Sequence, residues 1–295
     1  MATSNPIKQR LQILKAEYDR LRKNKASLIR MLDEAELSES VFNSNAIENS
    51  TLTLKETEKI LLDMEVSRNV SVREVFEAKN LARVMQYIEG EGGKTELTTE
   101  HMLLLHRMLI GNIDDGIAGR LRKKGEYVRV GTHIAPAPEH VEHMLEELFI
   151  EYSSDQTAFF TDKIARFHLQ FETIHPFCDG NGRIGRVIIL YQLKQLGFPS
   201  LMIRDKEKQI YYRSFTEYKE SKKPNTMEKV VVLALLESLH KRLAYLRGDE
   251  IMTLADHAKT VKESVQTLSN AARRQTIPAF REAGTWKIGV TTASH

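Results

Sequence analysis

Apolar residues recur three and four positions apart through most of this chain, the spacing of helices with one buried face. From Ile7 to about Leu32 the series Ile7, Leu11, Leu14, Tyr18, Leu21 and Leu28 falls mainly at these spacings. Further amphipathic stretches run at about 72–89, 99–110, 139–152, 162–174, 183–196 and 225–246. Two helix starts carry a capping box, a hydroxyl with a glutamate three residues on: Thr53 with Glu56, and Ser71 with Glu74. Before residue 250 only KGEYVRVGTHIAPAP, 124–138, reads as strand, alternating about Val128 and Val130 with Gly131 as a turn residue. The expected class is mainly α with one small β-hairpin.

Charge and composition narrow the setting. The net charge of +3 over 295 residues is too small to make the whole molecule a nucleic-acid binder. The basic excess of residues 1–30 reads as a solvated helix face. A single cysteine, Cys178, excludes an intrachain disulfide and points to a reducing compartment. The start, MATSNPIKQR, lacks the apolar core of a signal peptide, and VVVLALL at 230–236 is too short to span a bilayer. A cytoplasmic protein with no membrane partner is expected. The composition changes near 246–250, so the expected division is a basic helix at 1–34, a main domain at 35–247 and a small domain at 248–295.

Residues 175–186, HPFCDGNGRIGR, concentrate chemistry between two helices. Pro176 fixes the exit from KIARFHLQFETI, because proline disfavours helical conformation in the residue before it. Gly180, Asn181 and Gly182 follow, and Arg183 opens RIGRVIILYQL. A glycine-containing turn feeding a helix N-terminus aims backbone N–H groups and the positive dipole end at an anion. Arg183 and Arg186 share one face of the first turn and can fork onto phosphate oxygens. Asp179 is an oxygen ligand beside that anion, suited to Mg²⁺ (or Mn²⁺) held jointly with a nucleotide. A neutral His175 imidazole can take a proton from an incoming hydroxyl. The parts sum to phosphoryl or nucleotidyl transfer by positioning and charge stabilisation.

The string resembles the signature of the Fic family, HPFx(D/E)GNGRxxR, and the resemblance covers about 35–245, including FHLQFETIHPF and GEYVRVGTHIAPAPEHV. It implies a Fic-type helical core with a hairpin flap, transferring AMP from ATP to a Tyr, Thr or Ser hydroxyl of a protein. On that pattern His175 is the general base, Phe177 packs inward and Asp179 holds the metal. Gly180, Asn181 and Gly182 cradle the phosphates, with Asn181 at the α-phosphate. Arg183 and Arg186 bind the remaining phosphates, with Arg186 at the γ position. The flap at Val128, Arg129, Val130 and Gly131 pairs with the target as an added strand. Gly182 stands where the kinase-like Doc branch carries lysine, which favours AMP over phosphate transfer; UMP and phosphocholine donors stay open. Tyr211 and Tyr212 lie where the family often sets a ring near adenine, and their helical spacing suits the core equally.

SNAIENS, 44–50, resembles the family's inhibitory motif, (S/T)xxxE(G/N)N, through Ser44, Glu48 and Asn49, in a helix at about 35–50. Ser50 replaces the final Asn, a departure. Glu48 reaching Arg186 would neutralise the charge meant for the γ-phosphate. The same glutamate, beside a metal, can orient a water that removes AMP again. Members with such a helix often pair through the core, so a homodimer is among the expected partners.

After residue 250, TLADHAKTVKESVQTLSNAARRQTIPAFREAGTWKIG resembles a small winged helix-turn-helix of the excisionase and MerR type. Residues 253–289 hold six basic against three acidic residues, the sign that phosphate contacts need. Gln266, Thr267, Ser269 and Asn270 near the start of its second helix, with Arg273 and Arg274 beyond, are candidate contacts to duplex DNA. The competing reading is a DNA-binding transcriptional regulator whose nucleotide-binding core only senses nucleotide.

Overall fold

The structure is a computed structural model that describes residues 3–66, 70–91, 95–131 and 133–291. Thr132 of the expected hairpin and residues 292–295 of the expected small domain lie outside the described residues. The chain divides into two compact units. One comprises Leu37–Phe198 and Ile203–Glu228; the other comprises Thr3–Glu36, Pro199–Met202 and the chain from Lys229 onward.

The N-terminal periodicity resolves into two helices rather than one, α1 (Asn5–Leu21) and α2 (Ala26–Ile47). Asn24 breaks the run by adopting the left-handed conformation, φ 64°, which asparagine tolerates better than most residues. α3 (Leu54–Glu58) starts on the expected capping box: Thr53 accepts from the Glu56 N–H, and the Glu56 side chain accepts from the Thr53 N–H. A π-helical turn (Lys59–Asp63) follows, then α4 (Val72–Glu91), α5 (Thr99–Ile110), α6 (Pro138–Ser154), α7 (Phe160–Ile174), α8 (Asn181–Gln195) and α9 (Lys208–Ser221). α8 is buried along nearly its whole length, from Arg183 through Leu193. It packs with α7 through a core that includes Phe167, Phe171, Phe177, Ile184, Val187 and Ile188. A helix buried on all sides must find partners for any charge it carries, and α8 carries both Arg183 and Arg186.

The expected hairpin is shorter than its alternation suggested. β1 (Arg129–Val130) and β2 (His133–Ile134) pair antiparallel, Arg129 opposite Ile134 and Val130 opposite His133. Residues 123–126 instead make a turn closed by the Glu126 carboxylate, which accepts from the Lys123 N–H and from Arg120.

In the second unit most of α10 (Asn225–Arg247) precedes β3 (Glu250–Thr253), α11 (Leu254–Val261), α12 (Val265–Arg273), β4 (Ala279–Glu282) and β5 (Thr285–Val290). The three strands form an antiparallel sheet in the order β3-β5-β4. Leu254, Ala258, Leu268, Ala272, Ala279 and Ile288 make its core, with Trp286 packed against them. Lys262, left-handed at φ 56°, turns the chain between α11 and α12, and Ser264 caps α12 by accepting from the Thr267 N–H. α1, and α2 as far as Glu36, belong to this unit: Arg247 pairs with Glu17, and the buried Arg242 donates to Asp33 and Glu36. Among the described residues no helix is long and apolar enough to cross a membrane.

Candidate functional site

α7 ends on His175, whose backbone is left-handed (φ 51°, ψ 62°) and whose N–H bonds the Phe171 carbonyl at 2.9 Å. That conformation costs a non-glycine residue about 1–2 kcal/mol, so the surroundings must hold it. Arg122, buried at 3% exposure, does so. Its guanidinium donates to the carbonyls of His175 (2.8 Å), Ile174 (3.2 Å), Pro136 (2.9 Å) and Glu126 (3.1 Å), and its N–H bonds the Pro176 carbonyl.

The rest of the loop is tied as firmly. The Phe177 ring stacks on His106 at 3.7 Å, with 5° between planes. His106 accepts from the Gly119 N–H at Nδ1, so Nε2 carries the proton it donates to the Asp179 carbonyl at 3.0 Å. The Asn181 amide closes the turn on itself, accepting from the Phe177 N–H (2.9 Å) and donating to the Phe177 carbonyl (2.8 Å). Its side chain is thus spent on the loop. Gly180, at φ 80°, is the N-cap of α8 and, as a glycine, supplies no side-chain cap. The first-turn N–H groups therefore face outward as an anion site.

His175 is mostly buried, and its proton affinity falls to a pKa of about 4 through desolvation, helped by the charge of Arg122. At neutral pH the imidazole is uncharged and able to accept a proton. Glu172, one turn back, is pushed up to about 8 by burial and by the Glu48 carboxylate. Their approach, 3.8 Å from His175 Nδ1 to Glu172 Oε2, is consequently not an ion pair at neutral pH.

Arg186 spends four of its five N–H donors. It donates from Nε to Ser44 Oγ (3.0 Å), from Nη2 to the Ser44 carbonyl (2.8 Å), and from Nη1 to Glu48 Oε1 (2.8 Å) and the Tyr211 hydroxyl (3.3 Å). Glu48 stands just beyond the end of α2, where the chain stops in a Schellman arrangement. Ser50 N–H bonds the Asn45 carbonyl, Asn49 N–H bonds that of Ala46, and Asn49 is left-handed at φ 65°. The Gly-or-Asn position of the motif is thus the residue that ends the helix. Asn49 aims Glu48 through this turn, and Ser50 donates to Glu74. A Cβ on Gly182 would lie 2.3 Å from Glu48 Oε1. A carboxylate therefore rests on the first turn of α8, where the helix favours an anion.

The two tyrosines differ. Tyr211 is fully buried, its hydroxyl shared between Arg186 and His168. Tyr212 is 41% exposed, and its hydroxyl donates to the Ile47 carbonyl at 2.6 Å, fastening the last turn of α2.

On the other side of α8, Arg183 is 4% exposed, and its Nε and Nη1 lack hydrogen-bond partners among the described residues. It lies 3.3 Å from Glu77 and 3.5 Å from Asp179. Asp179 accepts from the Gly180 N–H at Oδ1 and from Arg73 at Oδ2. Burial pushes Asp179 up, but Arg183, the Gly180 N–H and Arg73 outweigh it and hold the carboxyl below its usual range. No group of three metal-ligating side chains occurs among the described residues. One ionised, partly exposed carboxylate at an anion site is still the donor set for a cation shared with phosphates, since Mg²⁺ takes one or two carboxylates plus substrate oxygens. Asp179 fits that role.

In the flap, Arg129, Val130 and Gly131 are exposed and Val128 is half-buried. On α12, Gln266, Thr267 and Arg273 are exposed, as is Arg274 at its C-cap, and Ser269 and Asn270 are partly so. Asn270 accepts from Gln266 and Arg273, joining three candidates on one face. Sequence reasoning missed Arg73, Glu77, His106, Arg122 and Glu172. No local pattern marks Arg122 within RLRKKG or His106 within LLLHRMLI.

Residues 96–193 match the Fic/DOC family model. "Protein adenylyltransferase Fic" of Drosophila erecta is 30% identical over 214 residues, 70% of this chain and 43% of the relative. The chain thus spans less than half the length of the curated relatives it matches. A Fic-domain-containing signaling protein from Bacteroides thetaiotaomicron superposes with a TM-score of 0.72 at 22% identity, covering 81% of this chain and 97% of that one. A Fic family protein from Desulfovibrio desulfuricans gives 0.67 at 20% identity, covering 99% and 98%. These two likenesses concern the fold.

Proposed function

The chain is a Fic family protein with its Fic domain at residues 96–193, and on that premise we propose that it transfers AMP from ATP to a Tyr, Thr or Ser hydroxyl of a target protein and is held in check by Glu48. The target hydroxyl attacks the α-phosphorus, pyrophosphate leaves, and His175 Nε2 takes the hydroxyl proton. The observation that carries this reading is an uncharged, buried histidine held by Arg122 beside an uncapped helix N-terminus. Backbone N–H groups of α8 and Arg183 hold the phosphates. Mg²⁺ on Asp179 would neutralise phosphate charge. A target strand adds along the exposed flap, so its sequence matters little beyond the hydroxyl.

ATP labelled at the α- or the γ-phosphate tests the reaction class in the Glu48→Gly chain. α-Label on protein, lost with His175→Ala by about 10²–10⁴-fold, supports the reading; γ-label on protein in its place would mean phosphate transfer and refute it.

Glu48 serves the reverse direction as well, orienting a water that releases AMP from modified protein. Wild type releasing AMP faster than Glu48→Gly supports this.

For the second unit the reading is a winged helix-turn-helix that binds duplex DNA, supported by the exposed polar and basic face of α12. Binding at low salt that weakens steeply with added salt is expected; no binding at low salt ends it.

A further inference from the structure

Four charged side chains alternate in sign around the entrance to α8. Arg73 and Glu77 come from α4, Asp179 from the loop and Arg183 from the first turn of α8. Arg73 donates to Asp179 Oδ2 and, at 3.1 Å, to Glu77 Oε1; Glu77 Oε1 also lies 3.3 Å from Arg183. The two arginines are held differently. Arg183 is 4% exposed and fixed within α8, whereas the Arg73 side chain is 55% exposed and reaches Asp179 from a separate helix, aimed by Glu77 one turn on. The two oxygens of Asp179 are also unlike. Oδ1 is occupied by the Gly180 N–H at 2.6 Å and faces Arg183. Among the described residues, Oδ2 carries Arg73 alone.

We propose that Arg73 is an internal cation that competes with the nucleotide-borne metal for Asp179 Oδ2. The inference rests on the reading of Asp179 as the metal ligand. A guanidinium and a divalent ion seek the same oxygen and the same charge, so metal-loaded nucleotide must displace Arg73 before Asp179 can coordinate. Displacement is feasible because Arg73 is the exposed member of the ring and keeps Glu77 as an alternative partner. The half-exposed pair limits the competition to about two- to five-fold in affinity. Arg73 is thereby a positioning residue that aligns Asp179 Oδ2 and tunes the metal requirement.

The test measures binding of α,β-methylene-ATP to the full chain by calorimetry, with Mn²⁺ and again with EDTA. It compares Glu48→Gly with the same chain carrying Arg73→Ala, Arg73→Lys or Asp179→Asn. Arg73→Ala is expected to tighten binding of the Mn²⁺-loaded analogue two- to five-fold and to leave binding in EDTA unchanged. Arg73→Lys, which keeps the charge, is expected to stay near the parent value. An unchanged or weakened Mn²⁺-dependent affinity in Arg73→Ala overturns the proposal, as does an equal shift with and without metal, the mark of a structural role. Asp179→Asn separates the two layers. If it abolishes the benefit of Mn²⁺ while Arg73→Ala does nothing, only the competition fails. If it leaves that benefit intact, Asp179 is not the ligand and both readings fall.

Discussion

Arg183 and Arg186 lie three residues apart on α8 and are buried alike, at 4% and 5% exposure. Their surroundings are opposite. Arg186 spends Nε, Nη1 and Nη2 on Ser44, Glu48 and Tyr211. Among the described residues Arg183 keeps Nε and Nη1 without a hydrogen-bond partner, with looser ion-pair contacts to Glu77 and Asp179. A buried guanidinium with unsatisfied donors is costly, which supports the phosphate role proposed for Arg183. In place of such an anion, Arg186 has a carboxylate. One helix turn thus holds an open half and a closed half, and the closing group arrives on a helix end shaped by Asn49.

The contrast depends first on the loop being rigid. Arg122→Ala strips four carbonyls of their donor and should destabilise the fold by about 3 kcal/mol, lowering the denaturation midpoint. An unchanged midpoint would mean that the loop does not rely on Arg122.

The next effect separates the arginines directly. In the wild-type chain Arg183→Ala should weaken ATP binding about 10-fold or more, a charge-assisted loss, whereas Arg186→Ala should change it little. In the Glu48→Gly chain both substitutions should cost about 10-fold or more. A cost of Arg186→Ala that is the same in both chains would break the comparison.

The smallest effect is in pH. Glu172 has a folded-state pKa of about 8 against an ordinary 4.5, so the folded state binds the extra proton. The stability this gives is full below about pH 4.5 and is lost as pH rises through 8. Glu172→Gln should therefore raise Tm at pH 8.5 by about 2–4 °C and leave it unchanged at pH 4.5. His175 runs the other way: its value of about 4 against 6.5 withdraws stability as pH falls from 6.5 toward 4. Equal Tm differences at both pH values would mean that burial does not raise the Glu172 pKa in the folded chain.

Much of this centre is legible in the sequence because its parts are contiguous. HPFCDGNGRIGR carries its own turn, helix start and charges, and SNAIENS carries the carboxylate together with the residue that ends its helix. The partners are not contiguous. Periodicity assigns His106 and Glu77 to helices without saying which helix each meets. Arg122 reads as one more base in a charged run until the carbonyls of residues 174–175 are seen around it. The same limit explains the N-terminal helix: apolar spacing continues across residues 22–25, but Asn24 takes a backbone conformation that spacing does not encode. Tyr211 and Tyr212 are adjacent in sequence, and only packing distinguishes the core ring from the one that fastens α2.

The central claim is that the Glu48 carboxylate occupies the ground a phosphate needs. The direct measurement is the initial rate of α-phosphate label transfer from ATP to protein in wild type and in Glu48→Gly, with both chains shown to be folded. Removing a charge-assisted bond from a buried arginine predicts a rate at least about 10-fold higher in Glu48→Gly. Equal rates in the two folded chains would contradict the account, because Arg186 would then be receiving phosphate with Glu48 in place.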